Sequence, residues 1–148
     1  MSRNTLHILL ADDDADDRLF FKEAIEEVKI KTILTTVKNG VQLMDYLNKP
    51  KAILPDVIFL DLNMPRKGGI ECLTEIRNSS KLKDISIAIY STSSSEKDIE
   101  EAFITGANIY INKPADMNKL KKILIEVISI NWQYHNSGLN RESFLLNK

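Results

Sequence analysis

The most informative segment of the sequence is Asp56-Val57-Ile58-Phe59-Leu60-Asp61-Leu62-Asn63-Met64-Pro65. Its centre is an unbroken apolar run with β-branched and aromatic side chains, which is typical of a strand buried on both faces of a parallel sheet. A carboxylate, Asp61, follows this run directly, and Pro65 cannot continue a central strand. The sequence therefore predicts a buried strand over residues 56–62 that carries an acidic side chain at its end.

Four further apolar runs repeat this pattern, and amphipathic segments with apolar residues at i, i+3, i+4 and i+7 separate them. The predicted strands span residues 6–11, 32–37, 56–62, 85–91 and 108–112. The predicted helices span residues 14–28, 41–48, 69–77, 97–105 and 117–130. This strict alternation predicts an α/β domain, a doubly wound five-stranded parallel sheet with helices on both faces.

Composition narrows the class of protein. The 148 residues and the hydrophobic fraction of 43% suit one globular domain with its own core. Lys and Arg number 20 against 21 Asp and Glu, whereas a general nucleic-acid binder needs clustered basic charge. Cys72 is the single cysteine, so no internal disulfide can form. No apolar stretch approaches the roughly 20 residues of a membrane-spanning helix. We therefore expect a soluble cytoplasmic protein with no nucleic-acid partner and no membrane partner.

Polar side chains follow four of the predicted strands. Residues 12–14 are three aspartates after the first strand, and Asp61 follows the third. Ser91 ends the fourth strand, and Lys113 follows the fifth. Sites in open parallel sheets form at the carboxyl ends of the strands. We therefore expect carboxylates, a hydroxyl and an ammonium group to meet at one edge of the sheet.

This set of groups fits phosphoryl chemistry beside a metal ion. Clustered carboxylates repel one another unless a cation lies among them. Oxygen ligands from carboxylates and a loop carbonyl suit Mg²⁺. A carboxylate can attack phosphorus to give an aspartyl phosphate, while metal and ammonium neutralise the charge on the transferred group.

Each piece taken alone has a plainer interpretation. The three aspartates can serve as the N-cap and first-turn charges of the next helix, and Asp14 is expected to do so. The serine-rich turn after Ser91 and the ammonium of Lys113 can be solvated surface groups. The functional interpretation depends on all of them falling at strand ends together.

These residues resemble the receiver domain of bacterial response regulators, in the family's order and over about residues 5–131. The matching segments are Leu9-Leu10-Ala11-Asp12-Asp13-Asp14, Asp61-Leu62-Asn63-Met64-Pro65 with Gly68-Gly69, Tyr90-Ser91-Thr92 and Tyr110-Ile111-Asn112-Lys113-Pro114. The resemblance implies a flavodoxin-like (βα)5 fold. It also implies a phosphoacceptor that supports its own phosphorylation and dephosphorylation, rather than a conventional enzyme.

The resemblance assigns the acidic residues to a phosphorylation site. Asp61 is expected to be the phosphoacceptor. Asp13, Asp61 and the backbone carbonyl of Asn63 are expected to bind Mg²⁺ or Mn²⁺, with Asp12 reaching the ion through water.

The resemblance also implies a conformational switch. Ser91 is expected to move towards the phosphoryl group, and Lys113 to pair with phosphorylated Asp61. Pro114 would hold a tight, often cis, peptide bond, and Tyr110 would turn inward when Ser91 moves. Thr92 departs from the alanine usual at its position, so its hydroxyl could compete with Ser91 or its bulk could narrow the path of Tyr110.

The resemblance further implies partners and a domain organisation. Residues 1–131 are expected to form the receiver domain, with a signalling face over 96–131, and residues 132–148 a tail without an output domain. A sensor histidine kinase or phosphotransfer protein would donate the phosphoryl group, and the downstream protein target is unknown. The length, the segment Asp16-Asp17-Arg18 after the acidic cluster, and Trp132 resemble the small regulators paired with phytochrome-type histidine kinases. In that group a homodimer is an open alternative.

Other functions compete with this one. A metal-dependent phosphohydrolase with Asp61 as nucleophile commonly has a second acid two residues later, where this chain has Asn63. A nucleotide or flavin carrier would want a glycine-rich loop after the first strand, where this chain has aspartates. A phosphate-independent binding module is the remaining alternative, although every side chain that a phosphoacceptor requires is present.

Overall fold

The computed structural model describes residues 5–129 and 145–146. Strands and helices alternate in it as the hydrophobic pattern predicts. The strands are β1 (Leu6–Ala11), β2 (Thr32–Val37), β3 (Val57–Leu60), β4 (Ser86–Ser91), β5 (Ile109–Asn112) and β6 (Leu145–Leu146). The helices are α1 (Ala15–Glu27), α2 (Gly40–Leu47), α3 (Gly69–Arg77), α4 (Glu96–Thr105) and α5 (Met117–Ser129).

The strands form one parallel sheet in the order β2-β1-β3-β4-β5-β6. Because β1 lies between β2 and β3, the chain winds in opposite directions on either side of β1. A crevice opens at such a reversal, beyond the carboxyl ends of the strands. The doubly wound parallel sheet of the (βα)5 fold is therefore confirmed, and its reversal places a crevice at the end of β1 and β3.

The core consists of two apolar layers, one on each face of the sheet. One layer lies under α2, α3 and α4 and includes Leu43, Leu73 and Ile99. The other lies under α1 and α5, where the rings of Phe21 and Phe59 pack edge to face with centroids 4.9 Å apart. Burial on both faces explains why the central strands contain so few polar residues.

A short sixth strand extends the five-stranded arrangement that the sequence predicts. In β6, Leu145 and Leu146 pair in parallel with Tyr110 and Ile111 of β5. Two residues are too few for hydrophobic periodicity to reveal a strand. The described residues do not include Trp132 or the domain boundary at residue 131. Of the predicted tail they include only Leu145 and Leu146. No helix in the described part of the chain is long and apolar enough to cross a membrane.

A hydrogen-bonded cluster around Arg77 fastens the opposite edge of the sheet, where the strands begin. The guanidinium donates to the carbonyls of Gly106 at 2.9 Å, Lys83 at 2.8 Å and Ile85 at 2.7 Å. It also donates to Asn108 Oδ1 at 2.9 Å. Gly106 ends α4 with φ of 114°, a left-handed conformation that suits glycine. The Arg77 cluster thus joins the end of α3 to the turn after α4.

Candidate functional site

The candidate site lies at the carboxyl ends of the central strands, and the hydrogen-bond ladder of the sheet fixes its residues. Backbone N–H groups donate from Asp12 to Val37 O at 3.1 Å and from Asp61 to Ala11 O at 3.0 Å. Each aspartate comes one residue after its strand, but its backbone is still fixed by a hydrogen bond to the neighbouring strand. Lys113 is placed in the same way, since its N–H donates to the carbonyl of Ser91, the last residue of β4, at 2.8 Å.

Lys113 is the cation at the centre of the site. Its Nζ lies 2.8 Å from Asp12 Oδ2, 2.8 Å from Asp17 Oδ2 and 3.2 Å from Asp61 Oδ2. It also lies 5.3 Å from the centre of the Tyr90 ring. Burial disfavours the charged ammonium, but the surrounding carboxylates outweigh burial and raise the pKa of Lys113 above its usual value. The ammonium is therefore a permanent charge of the site.

The carboxylates of Asp61 and Asp12 are buried, with 6% and 0% of each residue exposed. Burial raises the pKa of Asp61 from 3.8 to about 6, with Lys113 opposing the rise and Asp12 adding to it. Asp12 Oδ2 forms an ion pair with Lys113 Nζ at 2.8 Å, and this buried oxygen has no hydrogen-bond partner among the described residues. The site therefore holds more negative charge than the single positive charge of Lys113 can balance.

A divalent metal ion would fit this excess of negative charge. Oxygen atoms of Asp12, Asp13 and Asp61 lie within 4.8 Å of one another. Asp13 is exposed, whereas the other two are buried, so an ion could enter from solvent. Asn63 borders the same cleft, which has a volume of about 580 Å³. The hard oxygen donors and the unsatisfied Asp12 Oδ2 suit Mg²⁺ or a similar ion.

Gly69 supports the backbone of Asp61. A Cβ atom at Gly69 would lie 2.3 Å from the carbonyl oxygen of Asp61 and 2.8 Å from Cα of Leu62. Gly69 N–H also donates to the carbonyl of Leu62 at 2.9 Å. The first residue of α3 therefore packs directly against the loop that carries the phosphoacceptor candidate.

The predicted switch residues lie beside this cleft. Ser91 is buried, and its Oγ accepts a hydrogen bond from Ser93 N–H at 3.1 Å. Tyr110 is fully buried, and its hydroxyl donates to the carbonyl of Ser93 at 2.8 Å. Thr92 is exposed at the rim of the cleft. The turn after β4 thus connects the serine hydroxyl to the tyrosine.

The peptide bond before Pro114 is trans, whereas the resemblance implies a tight and often cis bond there. No cis peptide bond occurs among the described residues, so the bond between Lys113 and Pro114 is trans. The trans isomer of such a bond is intrinsically favoured by about 0.5–1 kcal/mol. The Lys113 ammonium reaches Asp12, Asp17 and Asp61 from this trans backbone.

Asp17 is a site residue that the sequence reasoning missed. Its carboxylate, in the first turn of α1, contacts the Lys113 ammonium with 38% of its side chain exposed. Asp14, in contrast, caps α1 as predicted, since its Oδ1 accepts from the N–H groups of Asp16 at 2.8 Å and Asp17 at 3.1 Å. The position of Asp17 in the first turn of the helix that follows β1 was the available signal.

The chain is similar to known proteins over most of its length. The model of the response regulator receiver domain family matches residues 8–125. The response regulator Rcp1 of Synechocystis sp. is 31% identical over 124 residues, which cover 79% of this chain and 82% of Rcp1.

Two solved structures show the same fold. The crystal structure of the Mn²⁺-bound form of Rcp1 has a TM-score of 0.76 at 29% identity and covers 84% of this chain and 93% of that one. The phosphorylated cyanobacterial phytochrome response regulator RcpA has a TM-score of 0.77 at 31% identity and covers 92% of this chain and 97% of that one. The chain therefore belongs to the response regulator receiver domain family and is a response regulator of two-component phosphorelay signalling.

Proposed function

We propose that Asp61 accepts a phosphoryl group from a histidine kinase or phosphotransfer protein, and that this modification changes the surface formed by residues 96–131. The observation that carries the proposal is the position of the Asp61 carboxylate. It lies at the floor of an open cleft, 3.2 Å from the Lys113 ammonium and among the carboxylates that could hold a divalent ion.

In the proposed reaction, a carboxylate oxygen of Asp61 attacks the phosphorus of a phosphohistidine. A new O–P bond forms while the P–N bond breaks, and the imidazole nitrogen keeps the electron pair of that bond. Lys113 neutralises negative charge on the phosphoryl oxygens, because it retains its proton at neutral pH. Since water can also reach the exposed cleft, the same site would release phosphate slowly by hydrolysis, without acting as a conventional enzyme.

The metal ion of this proposal is Mg²⁺ or Mn²⁺. Asp13, Asp61 and the Asn63 carbonyl would hold it, with Asp12 contributing through water, and the bound ion would supply positive charge for the phosphoryl oxygens. The presence of Mn²⁺ in a similar response regulator supports this choice of ion. So does the buried Asp12 Oδ2, which has no hydrogen-bond partner among the described residues.

The proposed switch passes through the turn after β4. A phosphoryl oxygen on Asp61 would compete for the Ser91 hydroxyl, which accepts a hydrogen bond from Ser93 N–H in this structure. Movement of this turn would alter the bond between Tyr110 and the Ser93 carbonyl, and with it the packing of α4 against β5. Thr92 and Pro114 flank this route and would tune it.

Phytochrome response regulators among the similar structures favour a phytochrome-type histidine kinase as the phosphodonor. We further propose that the face formed by α4, β5 and α5 binds the downstream target, with a homodimer through this face as the alternative. A cytoplasmic location follows from the proposed kinase partner.

The proposal is tested by incubating the protein with Mg²⁺ and acetyl phosphate and recording its intact mass. We expect the mass of one phosphoryl group to be added and then removed by hydroxylamine. Asp61→Asn should abolish the gain, whereas Asp45→Asn, an exposed residue of α2, should leave it unchanged. If neither acetyl phosphate nor a set of phosphorylated histidine kinases modifies Asp61, the proposal is wrong.

A further inference from the structure

Asp17 has a contact that capping of α1 does not explain. The first turn of α1 contains two acidic residues, Asp16 and Asp17, and the N–H groups of both donate to Asp14 Oδ1. Either carboxylate would stabilise the positive end of the helix. Of these two carboxylates, only that of Asp17 makes a described contact with Lys113, at 2.8 Å.

The Lys113 ammonium has three N–H donors, and three carboxylates lie within 3.2 Å of its nitrogen. The half-exposed Asp17 receives a hydrogen bond at 2.8 Å, and Asp61 receives a longer one at 3.2 Å. The fully buried Asp12 Oδ2 forms an ion pair with the same ammonium at 2.8 Å. Three carboxylates therefore already surround the ammonium before any phosphoryl group arrives.

We propose that Asp17 is a positioning residue that competes with a phosphoryl group on Asp61 for the Lys113 ammonium. This inference rests on the proposed function of Asp61. In the unphosphorylated protein, Asp17 holds the ammonium towards α1. When a phosphoryl group occupies the cleft, Lys113 gives up its contact with Asp17, the most exposed of its three carboxylates, in order to donate to the new oxygens. Asp17 therefore lowers the affinity of the site for a phosphoryl group, and so favours the unphosphorylated form.

The test measures binding of beryllofluoride, an analogue of the phosphoryl group, by isothermal titration calorimetry in saturating Mg²⁺. The variant is Asp17→Asn, which keeps the shape of the side chain and removes its charge. The matched control is Asp16→Asn, which removes the same charge from the same helical turn and the same cleft. We expect Asp17→Asn to bind beryllofluoride about fivefold more tightly, and Asp16→Asn to differ from the unmodified protein by less than about twofold, because surface charge is screened by salt.

Mg²⁺ binding without beryllofluoride separates positioning from a general loss of negative charge. Both variants should weaken Mg²⁺ binding to a similar extent, since each removes one carboxylate from the cleft. Opposite effects on Mg²⁺ and beryllofluoride in Asp17→Asn alone would therefore support the competition. Equal beryllofluoride affinities for the two variants would refute it while leaving the function of Asp61 intact. A failure of the unmodified protein to bind beryllofluoride would overturn the proposed function and this inference together.

Discussion

The cluster around Lys113 and the Arg77 cluster occupy opposite edges of one sheet, and they differ in how their oxygen atoms are satisfied. Arg77 donates four hydrogen bonds of 2.7–2.9 Å to neutral carbonyl and amide oxygens. Lys113 faces three charged carboxylates, and the buried Asp12 Oδ2 receives no hydrogen bond from it. One edge has its polar groups matched, and the other keeps a surplus of negative charge.

The difference separates groups that stabilise the fold from groups that are ready to react. A matched network gains free energy only in the folded state and leaves nothing for a ligand to satisfy. A surplus of buried carboxylates disfavours folding but favours binding of a cation. The two edges should therefore respond differently to substitution, and four variants test this.

The largest expected effect is on reactivity at the Lys113 edge. Lys113→Met keeps the length of the side chain but removes the positive charge that would neutralise the phosphoryl oxygens. We expect the rate of phosphoryl incorporation from acetyl phosphate to fall by about 100-fold, measured by intact mass against time. Lys119→Met, an exposed lysine of α5, should retain the original rate. If the rate in Lys113→Met stays within threefold of the original, Lys113 does not take part in the reaction.

The second effect is on stability at the Arg77 edge. Arg77→Ala leaves the Ile85 carbonyl and Asn108 without their guanidinium donor, so we expect the free energy of unfolding in urea to fall by about 3 kcal/mol. Arg77→Lys should recover less than half of this, because an ammonium cannot reproduce the fork of donors. Phosphoryl incorporation at low temperature should stay within twofold of the original rate. Loss of phosphorylation in a folded Arg77→Ala protein would show that the two edges are coupled.

The third prediction concerns the destabilisation that Asp61 causes. Its pKa is raised to about 6 in the folded protein, above the value of 3.8 for an unperturbed aspartate. The folded state therefore binds the proton more tightly, and stability falls as the pH rises from about 4 to about 6. In the absence of Mg²⁺ at pH 7.5, we expect Asp61→Asn to be more stable by about 2 kcal/mol.

The advantage of Asp61→Asn should shrink below about pH 5, where the Asp61 carboxyl group is protonated in the folded protein. Urea unfolding at several pH values, with Asp45→Asn as control, measures this difference. An advantage that did not change with pH would assign the effect to packing instead of charge.

The smallest effect tests whether every acid of the Lys113 edge is functional. Asp14 lies at this edge, but its contacts cap α1. We expect Asp14→Ala to lower the free energy of unfolding by about 1 kcal/mol, and Asp14→Ser to restore most of that loss. Both variants should be phosphorylated at nearly the original rate. A large loss of phosphorylation with unchanged stability would instead place Asp14 in the reaction.

Hydrophobic periodicity was sufficient to predict the five main strands, the five helices and the edge at which the acidic residues meet. It succeeded because central parallel strands must be apolar on both faces, as in β3 and β4. Asp14 could be predicted as a cap because capping depends on residues two or three positions away. These features are local or periodic, and a single sequence records them directly.

Contacts that depend on how the elements dock could not be predicted in this way. The ion pair between Asp17 and Lys113 joins residues 96 positions apart, and it depends on the rotation of α1 against β5. The Arg77 cluster relies largely on backbone carbonyls, which every residue possesses and which no sequence pattern distinguishes. The two-residue β6 is shorter than any period that a pattern can show.

The contact between Gly69 and the Asp61 carbonyl has a consequence for variation of this protein. Even the smallest side chain, that of alanine, would collide with backbone that cannot move without displacing the phosphoacceptor candidate. A library randomised at residue 69 and selected for signalling should therefore return glycine, although glycine contributes no chemical group to the reaction. A residue can thus be required at one position only because a neighbouring backbone atom, here the Asp61 carbonyl oxygen, leaves no room for a side chain.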